Sequence, residues 1–488
     1  MPNMITIQNI PNKKRIANKS ESICMRMVSV SFFSLIIISL LVSIVILLDT
    51  NIPANYSLLF LLPISYSLIL LINVNNLKSI LLNYGTIIIL ALEFIRLVVS
   101  PLLLTLSDYV EIITLNSVQN TPKAILLLCY EAVAIAIVFA FFGRRKKVSS
   151  ISGKGYKIGI NRLHTIMAIY SVMLAVMCII APDVLLSHRT FFGVFTDKNF
   201  TAMTLDSVID KFTGTEFQRY VLMLSRFFLL PYRLLLPTYL IICFKYYKLR
   251  HGKLWSVLVS FSPFLVVSDV IAQSVYFTMF LLLLTIFIYR LSNKVTVLVF
   301  FAAILAVVIY FIGRIIVGAS SSGAHFTEDM SKKLIAYFSG LNIVSGTFNQ
   351  PIDLANKFQY FAHDFLTAIP FNKTLLGLDQ SISSAALFNS VNNVYGQIPT
   401  TIGLSYYYFG PFLSPLYSIV LAYAAKRFGD KLRYETIPLF YVVYLYMLFI
   451  LSLGICMYNI EIAVNTIVQV ILPLYIIAKV CFKRVRIK

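Results

Sequence analysis

Four arginines stand inside, or at the edge of, strongly apolar stretches of this 488-residue chain: Arg96, Arg226, Arg233 and Arg314. A charged side chain at membrane depth costs about 3 kcal/mol on insertion scales, so each arginine needs a physical reason. A guanidinium presents paired N–H donors that match phosphate oxygens. Arg226 and Arg233 are seven residues apart, hence on one helical face, with no acid nearby on that predicted helix. The pattern indicates recognition of a diphosphate near lipid headgroups, with ion pairing between helices or snorkelling as open alternatives.

Three carboxylates accompany these arginines along the apolar part of the sequence. Glu93 precedes Arg96 by three residues, so on a helix the two side chains share a face and can neutralise each other. Glu131 is likewise expected to pair with an arginine of another helix. Asp269 follows Ser268 between two apolar runs.

One further pair of residues has types suited to proton transfer. His363 and Asp364 are adjacent in a polar stretch, whereas the other four histidines are isolated. An imidazole can accept a proton from a hydroxyl, so His363, Asp364 and Asp269 are our candidate catalytic residues, and a solvated loop pair is the plain alternative for the first two. The sequence contains no phosphate-binding Walker loop and no HExxH or GxSxG motif, and its six cysteines lack metal-ligand spacing. We therefore expect no metal site and no cofactor.

The elements that must position these residues are membrane helices. The chain is 59% hydrophobic and 12% charged, with a mean hydropathy of +0.84, and apolar stretches of about 20 residues recur from end to end. The short alternating runs of an outer-membrane barrel are not seen. The sequence predicts an all-α polytopic membrane protein of about 12 spans, near residues 27–48, 56–72, 80–106, 122–142, 163–180, 217–244, 254–267, 270–289, 295–317, 400–424, 437–456 and 462–482.

The net charge of +21 indicates topology rather than nucleic-acid binding. Most of the 41 Lys and Arg residues lie in short polar breaks that alternate along the chain, which is the positive-inside pattern. Both termini are then cytoplasmic, and the two longest polar stretches are outside. The expected organisation is a cytoplasmic tail at 1–26, spans 1 to 9 within 27–317 with an outer loop at 181–216, a long outer loop at 318–399, spans 10 to 12 within 400–482, and a cytoplasmic tail at 483–488.

Two segments of the long outer loop have apolar residues at helical spacing, residues 331–343 and 354–366. We predict two short amphipathic helices that either rest on the bilayer surface or pack on the outer ends of the spans. Together they would form a lid over the arginines. The residues on their predicted apolar faces are Leu334, Ile335, Phe338 and Leu341 in the first helix and Leu354, Phe358, Phe361 and Phe365 in the second.

Two stretches of the chain resemble the Wzy family of bacterial repeat-unit polymerases, which make O-antigen and capsular polysaccharide. They are KKLIAYFSGLNIVSGTFN at 332–349 and NNVYGQIPTTIGLSYYYFGPFLSPLYSIVLAYAAKRF at 392–428. The number of spans and the two outer loops are similar to that family as well. In one respect the chain departs from it: many relatives carry an acid before the glycine at the entry to span 10, where this chain reads YYYFG at 406–410. No role of that acid is transferred to this chain.

The resemblance implies an integral-membrane glycosyltransferase of type C, working at the outer face of the bacterial inner membrane without a metal. Its substrates would be a donor and an acceptor oligosaccharide, each carried on undecaprenyl diphosphate. The acceptor hydroxyl would attack the anomeric carbon of the donor, and the lipid diphosphate would leave. On this reading, the four arginines neutralise the diphosphate, and the three candidate catalytic residues position or deprotonate the acceptor. A chain-length regulator and a flippase of the same pathway are the implied protein partners.

Three other functions remain open at this level. A flippase for lipid-linked units would also have about twelve helices and buried arginines. An O-antigen ligase would have a similar topology and chemistry with a different acceptor. A noncatalytic scaffold for polysaccharide assembly would leave the intramembrane arginines without an obvious purpose.

Overall fold

The computed structural model describes most of the predicted spans and parts of the long loop. The described residues are 14–77, 80, 83–109, 118–142, 154–182, 189–190, 213–267, 271–290, 328, 331–332, 334, 338, 340–349, 357–369, 372, 376, 383–394, 397–456 and 459–486. Predicted span 9 at 295–317 lies outside the described residues, as does most of the predicted outer loop at 181–216.

Helices dominate the described part of the chain. They are α1 (Lys14–Leu48), α2 (Leu61–Ile72), α3 (Tyr84–Phe94), α4 (Ser100–Leu106), α5 (Thr121–Phe142), α6 (Ile160–Ile180), α7 (Glu216–Tyr246), α8 (Gly252–Ser260), α9 (Ser262–Leu265), α10 (Ile271–Tyr289), α11 (Leu341–Thr347), α12 (Lys357–Ala368), α13 (Ser384–Val391), α14 (Thr401–Phe409), α15 (Leu416–Arg433), α16 (Pro438–Cys456), α17 (Ile460–Thr466) and α18 (Leu472–Cys481). Short 3₁₀ turns occur at Ala54–Tyr56, Val74–Asn76 and Val118–Asn120. Two π-helical turns, Ile95–Val99 and Ile467–Ile471, join α3 to α4 and α17 to α18.

Seven helices of the described part are long and apolar enough to cross a membrane, namely Ala54–Ile72, Tyr84–Leu106, Thr121–Phe141, Ile160–Ile180, Glu216–Tyr246, Pro438–Cys456 and Ile460–Cys481. They coincide with predicted spans 2 to 6, 11 and 12. Two shorter apolar helices, Phe32–Leu48 and Tyr276–Tyr289, coincide with spans 1 and 8. Apolar side chains also project outward, as Ile169, Val172 and Ile179 do on α6, and hydrocarbon suits such a surface better than water does. The chain is a multi-pass helical membrane protein.

The prediction of span 10 as one helix over 400–424 is wrong. The chain forms α14 and α15 instead, with a turn between them. Gly410 ends α14 with a φ of 79°, a left-handed conformation that glycine adopts without steric cost. Its N–H donates to the carbonyl of Tyr406 at 2.9 Å. Pro411 and Pro415 follow, and neither can donate the N–H that a continuous helix needs.

The prediction of span 7 over 254–267 is also wrong, because α8 and α9 are short and lead into a strand, Val266–Val267. α8 runs back along α10. Ser256 donates to the Tyr289 hydroxyl at 3.2 Å, and Ser260 and Thr285 share a hydrogen bond of 3.1 Å. These hydroxyl contacts attach a short polar-faced helix to a longer apolar one.

Two short strand pairs accompany the helices of this all-α membrane protein. β1 (Lys154–Ile158) pairs antiparallel with β4 (Phe482–Arg486), and β2 (Arg189–Thr190) pairs antiparallel with β3 (Val266–Val267). The first pair joins the segment before α6 to the segment after α18, with Tyr156 opposite Arg484. Strands this short carry too few residues for their period-2 pattern to stand out in the sequence.

The two ends of the helix bundle differ in character. At the loop end, which carries α11, α12 and α13, the Tyr56 hydroxyl donates to Asn342 Oδ1 at 3.2 Å, and Asn120 Nδ2 donates to Asn349 Oδ1 at 2.9 Å. These bonds fasten the loop helices to the starts of two spans. The opposite, basic end carries the β1–β4 pair and the Lys/Arg-rich end of α15.

α15 is held in the bundle by a close approach to α3 near the basic end. Asn83 Nδ2 donates to the carbonyl of Lys426 and to Asp430 Oδ1, both at 2.8 Å. A Cβ on Gly85 would collide with the backbone carbonyl of Ala425, so glycine permits the contact. The second half of predicted span 10 is therefore a bundle helix, as its apolar residues suggested.

Candidate active site

α14 is an enclosed short helix at the loop end of the bundle. Residues 401–405, 407 and 408 are all buried. Thr400 caps the helix, since its hydroxyl accepts from the Gly403 N–H at 3.0 Å. The Thr401 hydroxyl donates to the carbonyl of Gly454 on α16, and the Tyr407 hydroxyl donates to the carbonyl of Thr347 on α11. α14 is thus fixed between a membrane span and the loop helices.

A carboxylate from the long loop is buried against α14. Asp364, on α12, is 4% exposed. Its Oδ1 accepts from the Ser384 N–H at 3.0 Å, and its Oδ2 accepts from the hydroxyls of Ser384 and Tyr408. The two hydroxyl oxygens are 3.1 Å apart. We call Asp364, Ser384 and Tyr408 the Asp364 cluster; its three donors hold the carboxylate in one orientation.

His363 lies directly beside the Asp364 cluster. It is 9% exposed, with Nδ1 at 3.9 Å from Asp364 Oδ1. Neither ring nitrogen has a hydrogen-bond partner among the described residues. The alternative of a solvated loop pair is therefore wrong: both side chains are enclosed by protein. An enclosed imidazole next to a fixed carboxylate can take up a proton, because the carboxylate stabilises the imidazolium that forms.

α12 directs His363 and Asp364 inward, whereas Phe358 and Phe365 lie on its exposed side. Phe358 is 71% exposed and Phe365 is 42% exposed, so neither packs on the ends of the spans, and exposed rings fit the alternative of a helix resting on the bilayer surface. α12 packs on α14 and on α17, and Phe361 contacts the rings of Tyr408 and Phe409. The polar pair can face inward because Ser384 and Tyr408 supply donors for the acid.

The other predicted loop helix, over 331–343, is described only in part. Ser331, Lys332 and Leu334 are helical, and a separate helix, α11, starts after Gly340. All seven of its residues are buried, so it has no solvent-facing side and is not amphipathic. Much of the predicted segment lies outside the described residues.

Arg96 belongs to a second buried group, inside the membrane spans. Its Nη1 lies 2.8 Å from Glu131 Oε2 and 3.6 Å from Glu93 Oε1. The Ser418 hydroxyl donates to Glu131 Oε1, and the Cys456 thiol donates weakly to Glu93 Oε1 at 3.5 Å. We call these five residues the membrane cluster. The ion-pair alternative describes Arg96. Because carboxyl groups already surround its guanidinium, the arrangement does not favour the diphosphate role predicted for it.

Arg226 and Arg233 are both half-buried on α7. α7 packs against the turn Ile467–Ile471, while α12 packs against α17, which leads into that turn. One membrane helix, Ile460–Cys481, thus borders both the arginine-bearing helix and the helix with the His-Asp pair. Asp269 and Arg314, the other two predicted site residues, lie outside the described residues.

Sequence reasoning missed four of the polar partners. Ser384 and Tyr408 bind Asp364, and Ser418 and Cys456 bind the acids of the membrane cluster. Ser384 had a weak signal, because the neighbouring Ser383 is a good N-cap residue and its hydroxyl does cap α13. Within the described residues there is no group of three or more His, Cys, Asp or Glu side chains that could hold a metal ion.

The chain was compared with protein-family models, curated proteins and solved structures, and none of them matches it.

Proposed function

We propose that this chain is a membrane glycosyltransferase that joins oligosaccharide repeat units carried on undecaprenyl diphosphate, producing O-antigen or capsular polysaccharide. One observation carries the proposal: His363 and Asp364 are enclosed together at the loop end of the spans, where a lipid-linked sugar would meet the protein. An acceptor sugar needs a group that removes a hydroxyl proton, and we assign that role to His363.

The reaction is one nucleophilic displacement. The acceptor hydroxyl oxygen attacks the anomeric carbon of the donor, and its proton passes to a ring nitrogen of His363. The bond from that carbon to the diphosphate oxygen breaks, and the electron pair leaves with the lipid diphosphate. Asp364 is fixed by Ser384 and Tyr408 and stabilises the imidazolium.

We assign to Arg226 and Arg233 the role of neutralising the negative charge of the leaving group. Both lie on one face of α7, which shares a neighbouring helix with α12. A guanidinium can bind two phosphate oxygens at once and so neutralise charge as the bond breaks. Arg314 and Asp269 stay in the proposal as a diphosphate-binding and an acceptor-positioning residue, and both lie outside the described residues.

The proposed topology has about twelve spans in the bacterial inner membrane, with both termini in the cytoplasm and the loop end outside. The basic character of the opposite end supports this orientation, since Lys and Arg favour the cytoplasmic side. The proposed partners are the two lipid-linked oligosaccharides, the bilayer, and a chain-length regulator and a flippase of the same pathway.

One specific observation favours a second function, a transporter for the same lipid-linked units. The membrane cluster places ionisable groups inside the spans, and such groups commonly mark transport or proton pathways. Polymerase remains the first choice, because a transporter gives no purpose to an enclosed His-Asp pair at the loop end.

The test replaces His363 or Arg226 with alanine in a strain that lacks its own copy of the gene. We expect glycans of a single repeat unit, because initiation and ligation remain while polymerisation stops. His251→Ala is the matched control, since His251 is exposed beside α8, and it should keep the full ladder of chain lengths. Gels of the extracted polysaccharide provide the readout, with immunoblots to show normal expression.

Two outcomes in the deletion strain would replace the proposal. Complete loss of surface glycan with lipid-linked units accumulating outside would indicate a ligase. Complete loss with units trapped inside would indicate a flippase. A full ladder from a normally expressed His363→Ala variant would remove His363 from the reaction.

A further inference from the structure

The membrane cluster contains an unequal number of charged groups. Glu93 and Glu131 face the single guanidinium of Arg96, and all three side chains are at most 2% exposed. In the described part of the chain, Arg96 is the one cationic group within salt-bridge distance of either acid. With both acids ionised, the cluster would carry one net negative charge inside the spans. A buried unbalanced charge is strongly unfavourable, and a carboxyl group in that position binds a proton instead.

The geometry distinguishes the two acids. Glu131 accepts a hydrogen bond from Arg96 Nη1 at 2.8 Å on one oxygen and another from the Ser418 hydroxyl on the other, so both of its carboxyl oxygens act as acceptors. Glu93 lies 3.6 Å from the same Nη1, beyond a good hydrogen bond, and receives only the weak thiol donor of Cys456 at 3.5 Å. Glu131 is therefore the counterion of Arg96, and Glu93 is left over.

A metal cation would not take the place of the proton. Sodium or a divalent ion needs several oxygen ligands, whereas Glu93 faces a guanidinium and a thiol. Tyr66 approaches from α2, but its hydroxyl donates to the Leu90 carbonyl at 3.2 Å. The titratable groups around Glu93 are thus Arg96, Glu131, Cys456 and Tyr66, from four helical elements.

The backbone at this point has a special conformation. Arg96 lies in the π-helical turn Ile95–Val99, between α3 and α4. Such turns are rare and occur often at functional sites, because the wider turn redirects the side chains around it. The spans thus carry a local distortion where the unequal charges meet.

We infer that Glu93 carries one proton at neutral pH, so that the membrane cluster is a proton-binding site inside the helix bundle. The Arg96–Glu131 pair serves as its fixed partner. This site is separate from His363 and does not depend on the proposed polymerase activity.

Infrared spectroscopy of the purified full-length protein in lipid nanodiscs tests the inference. A protonated carboxyl group has a carbonyl band that an ionised carboxylate lacks. We expect this band at pH 7 in the wild-type protein and its loss in Glu93→Gln, a variant that retains the shape of the protonated side chain. Glu435→Gln is the matched control: Glu435 is also buried, but it accepts from the backbone N–H groups of Thr436 and Ile437. The control should keep the band.

A second measurement needs no variant. Dicyclohexylcarbodiimide reacts with protonated carboxyl groups in apolar surroundings, and peptide mass spectrometry locates the adduct. We expect it on Glu93 and not on Glu131. No protonated band in the wild-type protein, a band that survives Glu93→Gln, or an adduct on Glu131 instead of Glu93 would overturn the inference. Loss of the band when sodium replaces choline in the buffer would assign the site to a cation and overturn it equally.

Discussion

Two buried clusters of this molecule hold their carboxylates in different ways. In the membrane cluster, the Arg96 guanidinium lies 2.8 Å from Glu131 and forms an ion pair with it. In the Asp364 cluster, the donors are a backbone N–H and two hydroxyls, all of them neutral. The first cluster lies within spans that would face hydrocarbon, and the second lies at the loop end beside protein.

This difference separates a structural role from a chemical one. Arg96 is already paired, so it has little positive charge left for a substrate. The Asp364 carboxylate is held in one orientation, and among the described residues its one basic neighbour within salt-bridge distance is the His363 imidazole at 3.9 Å. A proton arriving at His363 would therefore create the missing positive charge, which is what a proton acceptor requires.

The largest effect is expected from removing the cation of the membrane cluster. Arg96→Met would leave Glu131 buried without its counterion, and breaking a buried ion pair costs about 3–5 kcal/mol. We expect poor yield and aggregation, measured by size-exclusion chromatography and thermal unfolding in detergent. Arg219→Met, at an exposed position of the first turn of α7, should behave as wild type.

A rescue variant makes this first prediction sharper. Adding Glu93→Gln and Glu131→Gln to Arg96→Met removes the unbalanced charge together with its partner, and much of the stability should return. If Arg96→Met alone unfolds at the wild-type temperature, the Arg96–Glu131 ion pair does not stabilise the fold. The two clusters would then not differ in the way described above.

A smaller effect on stability, but a large one on activity, is expected at the Asp364 cluster. Asp364→Asn keeps the shape of the side chain, and the hydroxyls of Ser384 and Tyr408 can rotate to suit an amide. The loss of stability should be about 1 kcal/mol. Polymerisation should fall by about 10²–10⁴-fold, because the proton acceptor His363 loses the carboxylate that stabilises its imidazolium.

The control for this second prediction is an acid-to-amide change in a place with no assigned chemistry. Asp108 is exposed and has a φ of 51°, which asparagine tolerates well, so Asp108→Asn should leave both stability and polymer length unchanged. If the folded Asp364→Asn protein still produced polymer of normal length, the Asp364 cluster would have only a structural role, as the membrane cluster does.

The parts of this arrangement that sequence could predict are local in the chain. Spans 2 to 6, 11 and 12 were predicted because each is a continuous apolar stretch of sufficient length. The closeness of Glu93 to Arg96 was predicted from a spacing of three residues. The dipeptide Gly410-Pro411 is a typical helix-breaking signal, but the prediction of span 10 as one helix relied on the apolar residues around it.

The rest depends on contacts between distant residues. Asp364 meets Ser384 and Tyr408, which are 20 and 44 positions away, and no local pattern encodes that meeting. The apolar face of the helix that bears Asp364 was predicted from Leu354, Phe358, Phe361 and Phe365. Periodicity treats an acid as a surface residue, whereas an acid with three donors can be buried.

The smallest effect is expected at a less enclosed copy of the tyrosine–aspartate bond, since Tyr109 is buried but Asp49 is only half-buried. The Tyr109 hydroxyl donates to Asp49 Oδ2 at 2.5 Å at the edge of the loop end, as Tyr408 donates to Asp364 inside it. Burial raises the pKa of Tyr109 to about 12, so its hydroxyl stays protonated. The hydrogen bond from Tyr109 holds the pKa of Asp49 below its ordinary value. Tyr109→Phe should lower the melting temperature by less than Tyr408→Phe does.

The pH dependence of the Tyr109→Phe effect has a definite sign. Because the pKa of Asp49 is lower in the folded state, the bond contributes stability above the ordinary pKa of an aspartate, about 4. That contribution is lost as the pH falls through the lower folded-state value. The difference in melting temperature between wild type and Tyr109→Phe should therefore be present at pH 7 and shrink in acid. A difference that grows on acidification, or one as large as that of Tyr408→Phe, would show that exposure does not separate the two bonds.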